Sequence, residues 1–153
     1  LFLPEEYEVE RTIEINAPAE NVYAAIVDLR KWEQWSTWYQ MDPNAVITYD
    51  GPDRAIGMRL RWSSDVLGRG TIEITSLQFN RQLVYSVDNP VHGIKAHGEL
   101  RLKPLESGTE LTTTLLCRNL RAETAPDSLV RDITLPDARS EAAVIKLINC
   151  EGL

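Results

Sequence analysis

The chain is poor in the residues that build metal centres and disulfide frameworks. It has two cysteines, Cys117 and Cys150, and two histidines, His92 and His97. Two cysteines are too few for a disulfide framework and neither belongs to a Cys-x-x-Cys pair, so we do not expect them to be bridged. No Cys, Asp or Glu stands around either histidine at a familiar zinc spacing, and we therefore predict no metal site.

Three further absences narrow the range of functions. No stretch approaches the ~18 continuous apolar residues of a membrane-spanning helix. The formal net charge of −7 opposes binding to nucleic acid or anionic lipid through charge, because both call for a clustered basic face. No Gly-x-Ser-x-Gly elbow or Walker loop is present, so hydrolase and nucleotide-dependent activities have no motif behind them. We expect no cofactor and no nucleic-acid partner.

The chain has the length of one domain, and its N-terminal part is the most informative. A sequence of 153 residues can bury a substantial core unaided, so we expect a single domain over residues 1–153. Val9, Ile13 and Ile15 alternate with polar residues, which is the pattern of a strand with one buried face. Arg11 interrupts the apolar side of this strand.

Two short helices are predicted after the first strand. Pro18 suits the first turn of an amphipathic helix that is capped one or two residues earlier. Trp32, Trp35 and Trp38 then recur every three residues, which suits a second short helix or a 3₁₀ segment. We expect Trp32 to anchor these helices to the sheet, and Trp35 and Trp38 either to do the same or to form the aromatic mouth of a pocket.

The middle of the chain predicts an antiparallel meander. Short runs of alternating apolar residues are separated by turn clusters, and Gly68-Arg69-Gly70 is interpreted as one such turn. The predicted strands cover residues 45–49, 58–62, 71–75, 83–87, 94–102 and 111–117. After a polar segment, Pro136 begins an amphipathic C-terminal helix, which needs a surface to cover.

This order of elements resembles the START-like or Bet v 1-like (SRPBCC) superfamily, and most closely its bacterial polyketide cyclase/dehydrase-like proteins. The resemblance covers roughly residues 7–151 and differs from the usual pattern at Pro136 and at Ala142-Ala143. It implies an α+β helix-grip fold, in which a curved antiparallel sheet of six to seven strands wraps around a C-terminal helix. The motifs that carry it lie at residues 9–23, 28–38, 57–74 and 108–109.

The resemblance also implies an apolar cavity between the sheet and the C-terminal helix. The cavity would be lined by the inward-facing residues of each strand, by the apolar side of that helix and by two of the tryptophans. The alternative is that these side chains form an ordinary packed core with no space for a ligand. Tyr85 or Thr113 would orient a bound molecule through a hydroxyl. The predicted lining comprises Trp35, Trp38, Met58, Leu60, Trp62, Ile72, Ile74, Leu83, Tyr85, Ala96, Leu100, Leu111, Thr113, Leu115, Ala142, Ile145 and Ile148.

No catalytic constellation accompanies this cavity. His97 and Glu73 have the parity of the solvent face, so we do not expect either to act as a general acid or base. The leading hypothesis is therefore a module that binds a hydrophobic or amphipathic small molecule, as a monomer or weak dimer. An aromatase/cyclase-type enzyme is the alternative, and a partner-binding domain with an apolar patch near Trp38 and Tyr39 is a third.

The first residues leave the location of the protein open. The apolar start Leu1-Phe2-Leu3, followed by Pro4 and two glutamates, resembles the exit of a hydrophobic segment into water. Residues 1–6 would then be the remnant of a removed N-terminal segment that anchored the protein to a membrane; a cytoplasmic protein is the alternative. An anchor requires ~20 predominantly apolar residues encoded immediately before Leu1.

Overall fold

Seven antiparallel strands form one sheet in the order β1-β7-β6-β5-β4-β3-β2 in the computed structural model, which describes residues 6–34, 42–65, 68–90 and 94–119. A helix and a 3₁₀ helix follow the first strand. The elements are β1 Glu6–Ile15, α1 Ala19–Val27, the 3₁₀ helix Leu29–Gln34, β2 Val46–Asp50, β3 Arg59–Ser64, β4 Gly68–Gln78, β5 Gln82–Asn89, β6 Ile94–Leu105 and β7 Gly108–Asn119.

The predicted meander is confirmed, with one correction. Consecutive strands from β2 to β7 pair with each other, and β1 pairs with β7. The segment Gly68-Arg69-Gly70 was interpreted as a turn, but it is the start of β4, where Gly70 pairs directly with Trp62. Trp62 lies over Gly70, and a side chain there would overlap the indole ring. Glycine is therefore required by close packing within the sheet.

Strand alternation divides the sheet into an inner and an outer face. The inner face packs against α1 and carries the buried residues, whereas the outer face carries most of the charges. The residues of the predicted lining from Met58 to Leu115 are all buried. A β-bulge between Ile74 and Ser76 shifts the register of β4 and returns Leu77 to the inner face, where it packs against the core.

The helices close one part of the inner face. Pro18 is the N-cap of α1 and its carbonyl accepts from the N–H groups of Asn21 and Val22, so the predicted cap at residue 16 or 17 was wrong. Trp32 is fully buried and its indole N–H donates to the carbonyl of Ile26 at 2.7 Å. Trp32 thus anchors the 3₁₀ helix as predicted.

Several predictions fall outside the described residues. These are the C-terminal helix, the positions of Trp35 and Trp38, His92 and Cys150. Cys117 is buried on the inner face of β7 and is disulfide-bonded, so the expectation that it would be unbridged was wrong. No helix among the described residues has both the length and the apolar character needed to cross a membrane.

Candidate ligand-binding face

Two aromatic side chains lie flat across the inner face, each over a glycine of the neighbouring strand. Trp62 of β3 covers Gly70 of β4, and Tyr85 of β5 covers Gly98 of β6. The ring of Trp32 meets that of Tyr85 edge to face, with centroids 5.1 Å apart. These contacts fix the aromatic rings because each ring has one flat backbone surface below it and close neighbours around it.

Thr113 is the polar anomaly of this face. It lies on β7, it is only 3% exposed, and its Oγ1 is the buried side-chain atom without a hydrogen-bond partner in the described part of the chain. A buried hydroxyl without a partner costs roughly 1–3 kcal/mol, so such groups are rare in native proteins and call for an explanation. A hydrogen-bonding group supplied from outside the chain would remove this penalty.

Tyr85 carries another buried hydroxyl group of the inner face. It lies on β5, and it is separated from β7 only by Gly98 and its neighbours on β6. Burial raises the pKa of the Tyr85 hydroxyl well above its ordinary value. The group is therefore neutral at physiological pH and is available as a hydrogen-bond donor.

Arg11 is a candidate residue that the sequence analysis noted but did not assign to the site. It has the same strand parity as Ile13 and Ile15, which are buried on the inner face, and it pairs directly with Thr113 across β1 and β7. The signal was present in the sequence as a cation at an apolar position. The role of this cation can be interpreted only when its neighbour Thr113 is known. Thr113 is 102 residues away in the chain but adjacent in the sheet.

The structure brings together all the predicted lining residues that it describes. The predicted lining residues that the structure describes share the inner face and the core beside it: Met58, Leu60, Trp62, Ile72, Ile74, Leu83, Tyr85, Ala96, Leu100, Leu111, Thr113 and Leu115. Trp35, Trp38, Ala142, Ile145 and Ile148 lie outside the described residues, and so does the apolar patch expected near Tyr39.

The other titratable candidates lie on the outer face, as predicted. His97 is exposed, and Glu73 lies 3.6 Å from the guanidinium of Arg59. Strand parity places no aspartate, glutamate, lysine or histidine on the inner face of the seven described strands, where Arg11 is the one permanently charged residue. Nor do the described residues contain three or more potential metal ligands in one group.

Described residues also line surface grooves outside the inner face. The largest, of about 530 Å³, lies between the 3₁₀ helix and β2 and includes Glu33, Asp42 and Tyr49. Grooves of about 370 and 380 Å³ lie at the β6–β7 turn and beside Arg69. None contains a buried polar atom that lacks a partner, which distinguishes all three from the inner face.

The fold is that of the Bet v 1-like (SRPBCC) proteins, as its resemblance to solved structures shows. The protein CV1439 of Chromobacterium violaceum is 18% identical, with a TM-score of 0.55 over 77% of this chain and 83% of its own. Ara h 8.0201 is 11% identical, with a TM-score of 0.59 over 80% and 83%. A point mutant of Thalictrum norcoclaurine synthase, in complex with a transition state analogue, is 10% identical, with a TM-score of 0.56 over 76% and 77%.

A comparison of the sequence with protein families identifies the family to which the chain belongs. Residues 6–138 match the family described as "Polyketide cyclase / dehydrase and lipid transport". The chain belongs to this family, which confirms the resemblance seen in the sequence. No curated protein matches the chain.

Proposed function

We propose that this protein binds a hydrophobic or amphipathic small molecule on the inner face of its sheet, beneath the predicted C-terminal helix. The observation that carries the proposal is the buried hydroxyl of Thr113, which has no hydrogen-bond partner and lies among the apolar side chains of the inner face. Apolar burial at ~25 cal/mol per Å² would supply the affinity, and the hydroxyls of Thr113 and Tyr85 would orient the ligand. The lipid transport named in the family description agrees with such a role.

The alternative of an aromatase/cyclase-type enzyme has less support from the described residues. The family description includes cyclases and dehydrases, and enolisation of a polyketide chain needs a positioned base. Tyr85 is held neutral and Arg11 is a permanent cation, so neither serves as that base. A cyclase activity would therefore need a base from outside the described strands.

Binding is tested with the full chain and a neutral apolar fluorophore, phenylnaphthylamine. We expect saturable fluorescence enhancement, together with a co-purified small molecule in native mass spectra of protein isolated from its own host. Saturation should also raise the thermal midpoint, because a ligand that binds only the folded state stabilises it. A lack of saturable binding, together with ligand-free mass spectra, would refute the proposal.

Adjacent leucines on β7 provide a matched control for the face that binds. Leu115 is 9% exposed on the inner face, whereas Leu116 is 40% exposed on the outer face. We expect Leu115→Trp to occupy the ligand space and abolish fluorophore binding, whereas Leu116→Trp should bind as the parent does. Equal binding by both folded variants would place the fluorophore elsewhere.

A further inference from the structure

We infer that Arg11 and Thr113 form an anion-recognising subsite at the β1 edge of the inner face, so that the preferred ligand is an amphipathic molecule with an acidic oxygen headgroup. This inference rests on the proposed function and adds the class of ligand to it. A carboxylate and a phosphate monoester both present negatively charged oxygen atoms. A guanidinium and a hydroxyl can donate hydrogen bonds to such atoms together.

Arg11 and Thr113 are cross-strand neighbours on the inner face. Arg11 and Thr113 are directly opposite in the antiparallel β1–β7 pair, where Cβ atoms are typically about 4.5–5.5 Å apart. The next pair along these strands, Thr12 and Thr112, has its hydroxyl oxygens 3.1 Å apart on the exposed outer face. Because side chains alternate between faces, the pair formed by Arg11 and Thr113 belongs to the inner face.

The two residues differ in burial. Thr113 is almost completely buried, whereas Arg11 is half-buried at the edge strand of the sheet. A headgroup placed between them would contact the buried hydroxyl and still reach water beside the guanidinium. This increase in burial from Arg11 to Thr113 suits an amphipathic molecule. Its apolar tail would lie over Leu100 and Leu83, which continue the row from Thr113 across the sheet.

The charge on the strands of the inner face also favours an anion. Within the described strands, strand parity places no carboxylate on this face, where Arg11 is the only cation. The Nη1 of Arg11 donates to the carbonyl of Glu10 at 2.8 Å, which holds the side chain at the edge. A guanidinium has five N–H donors, so contacts within the protein and contacts to a headgroup can share it.

Competition for phenylnaphthylamine tests the subsite in the full chain. The competitors are dodecanoate, dodecyl phosphate and dodecanol at pH 8, all below micelle-forming concentrations; they share a tail and differ in the headgroup. In the parent protein we expect one or both anions to compete at about tenfold lower concentration than the alcohol, which corresponds to one charge-assisted contact. The stronger anion identifies whether a carboxylate or a phosphate is the preferred headgroup.

Matched arginine variants assign this preference to the inner face. Arg11→Gln should weaken competition by the preferred anion about tenfold and leave dodecanol unchanged, and Arg11→Lys should restore part of the loss. Arg101→Gln makes the same change on the outer face, where Arg101 pairs with Thr112 at the level of Thr12. This control should leave all three competitors unchanged.

Thr113→Val provides a second variant that keeps the shape of the side chain. It should weaken the preferred anion several-fold while the fluorophore itself still binds. Equal competition by the alcohol and both anions in the parent, with no effect of Arg11→Gln, would overturn the anionic subsite and leave the cavity intact. Failure of the fluorophore to bind the parent, together with ligand-free native mass spectra, would overturn the proposed function itself.

Discussion

The two faces of the sheet stabilise the molecule in different ways. The inner face is predominantly apolar, and burial there raises the pKa of Tyr85. On the outer face, hydrogen bonds from Arg61 and Arg59 lower the pKa of Asp50. Successive residues of one strand therefore alternate between a buried, mainly apolar environment and a charged, solvent-exposed one. Packing therefore dominates on one face and solvent-screened charge on the other, so equivalent substitutions should have very different effects.

The largest expected effect is that of Trp62→Ala on the inner face. Removing an indole that lies over Gly70 leaves a void, and we expect the free energy of unfolding to fall by ~3–5 kcal/mol. Urea denaturation followed by circular dichroism measures this loss. Nearly coincident midpoints for the variant and the parent would show that the inner face does not depend on this packing.

Gly98→Ala tests the close contact between a strand and an aromatic ring. The added methyl group would overlap the ring of Tyr85, and we expect a loss of ~1–3 kcal/mol in the free energy of unfolding. In a Tyr85→Leu background the same substitution should have little effect, since the obstructing ring is gone. An undiminished loss in that background would attribute the effect to the backbone of β6 instead.

Thr113→Val should have the opposite sign in the ligand-free protein. It removes a buried hydroxyl without a partner and keeps the side-chain shape, so the free energy of unfolding should rise by up to ~1 kcal/mol. Thr112→Val is the control on the outer face, because it removes a hydroxyl that interacts with Thr12. Destabilisation by Thr113→Val would indicate that this hydroxyl has a structural partner.

Arg61→Ala should have the smallest effect. Its guanidinium is half-exposed on the outer face and donates to Asp50 at 2.8 Å. An exposed ion pair contributes little, so we expect a change below ~0.5 kcal/mol in thermal or urea denaturation. A loss of several kcal/mol would remove the distinction between the two faces of β3.

The sequence predicted which strand residues face inward, because side chains alternate between the two faces within each strand. Leu60 and Trp62 could be placed inward, and Arg61 outward, from their spacing alone. The strand that begins at Gly68 was missed because the glycine pattern also suits a turn. Only the register of β3 and β4 shows that Gly70 makes room for Trp62.

The candidate site was predictable only in part, for a similar reason. The parity of β7 identified Thr113 as inward, but its lack of a hydrogen-bond partner is a property of the folded core. Arg11 looked like an interruption of β1 because one strand does not reveal its neighbour. The bulge beyond Ile74 likewise follows from pairing with β5, and strict alternation would have placed Leu77 on the outer face.

The contact between Trp32 and Tyr85 provides an intrinsic spectroscopic signal for changes at the inner face. The two rings stand nearly perpendicular, at 88°, and the indole is held by its hydrogen bond to Ile26. Aromatic side chains in such fixed, asymmetric packing produce near-ultraviolet circular dichroism, whereas the far-ultraviolet signal follows the backbone. A molecule that moves the ring of Tyr85 therefore alters the first signal without the second, and occupancy of the inner face can be followed without a label.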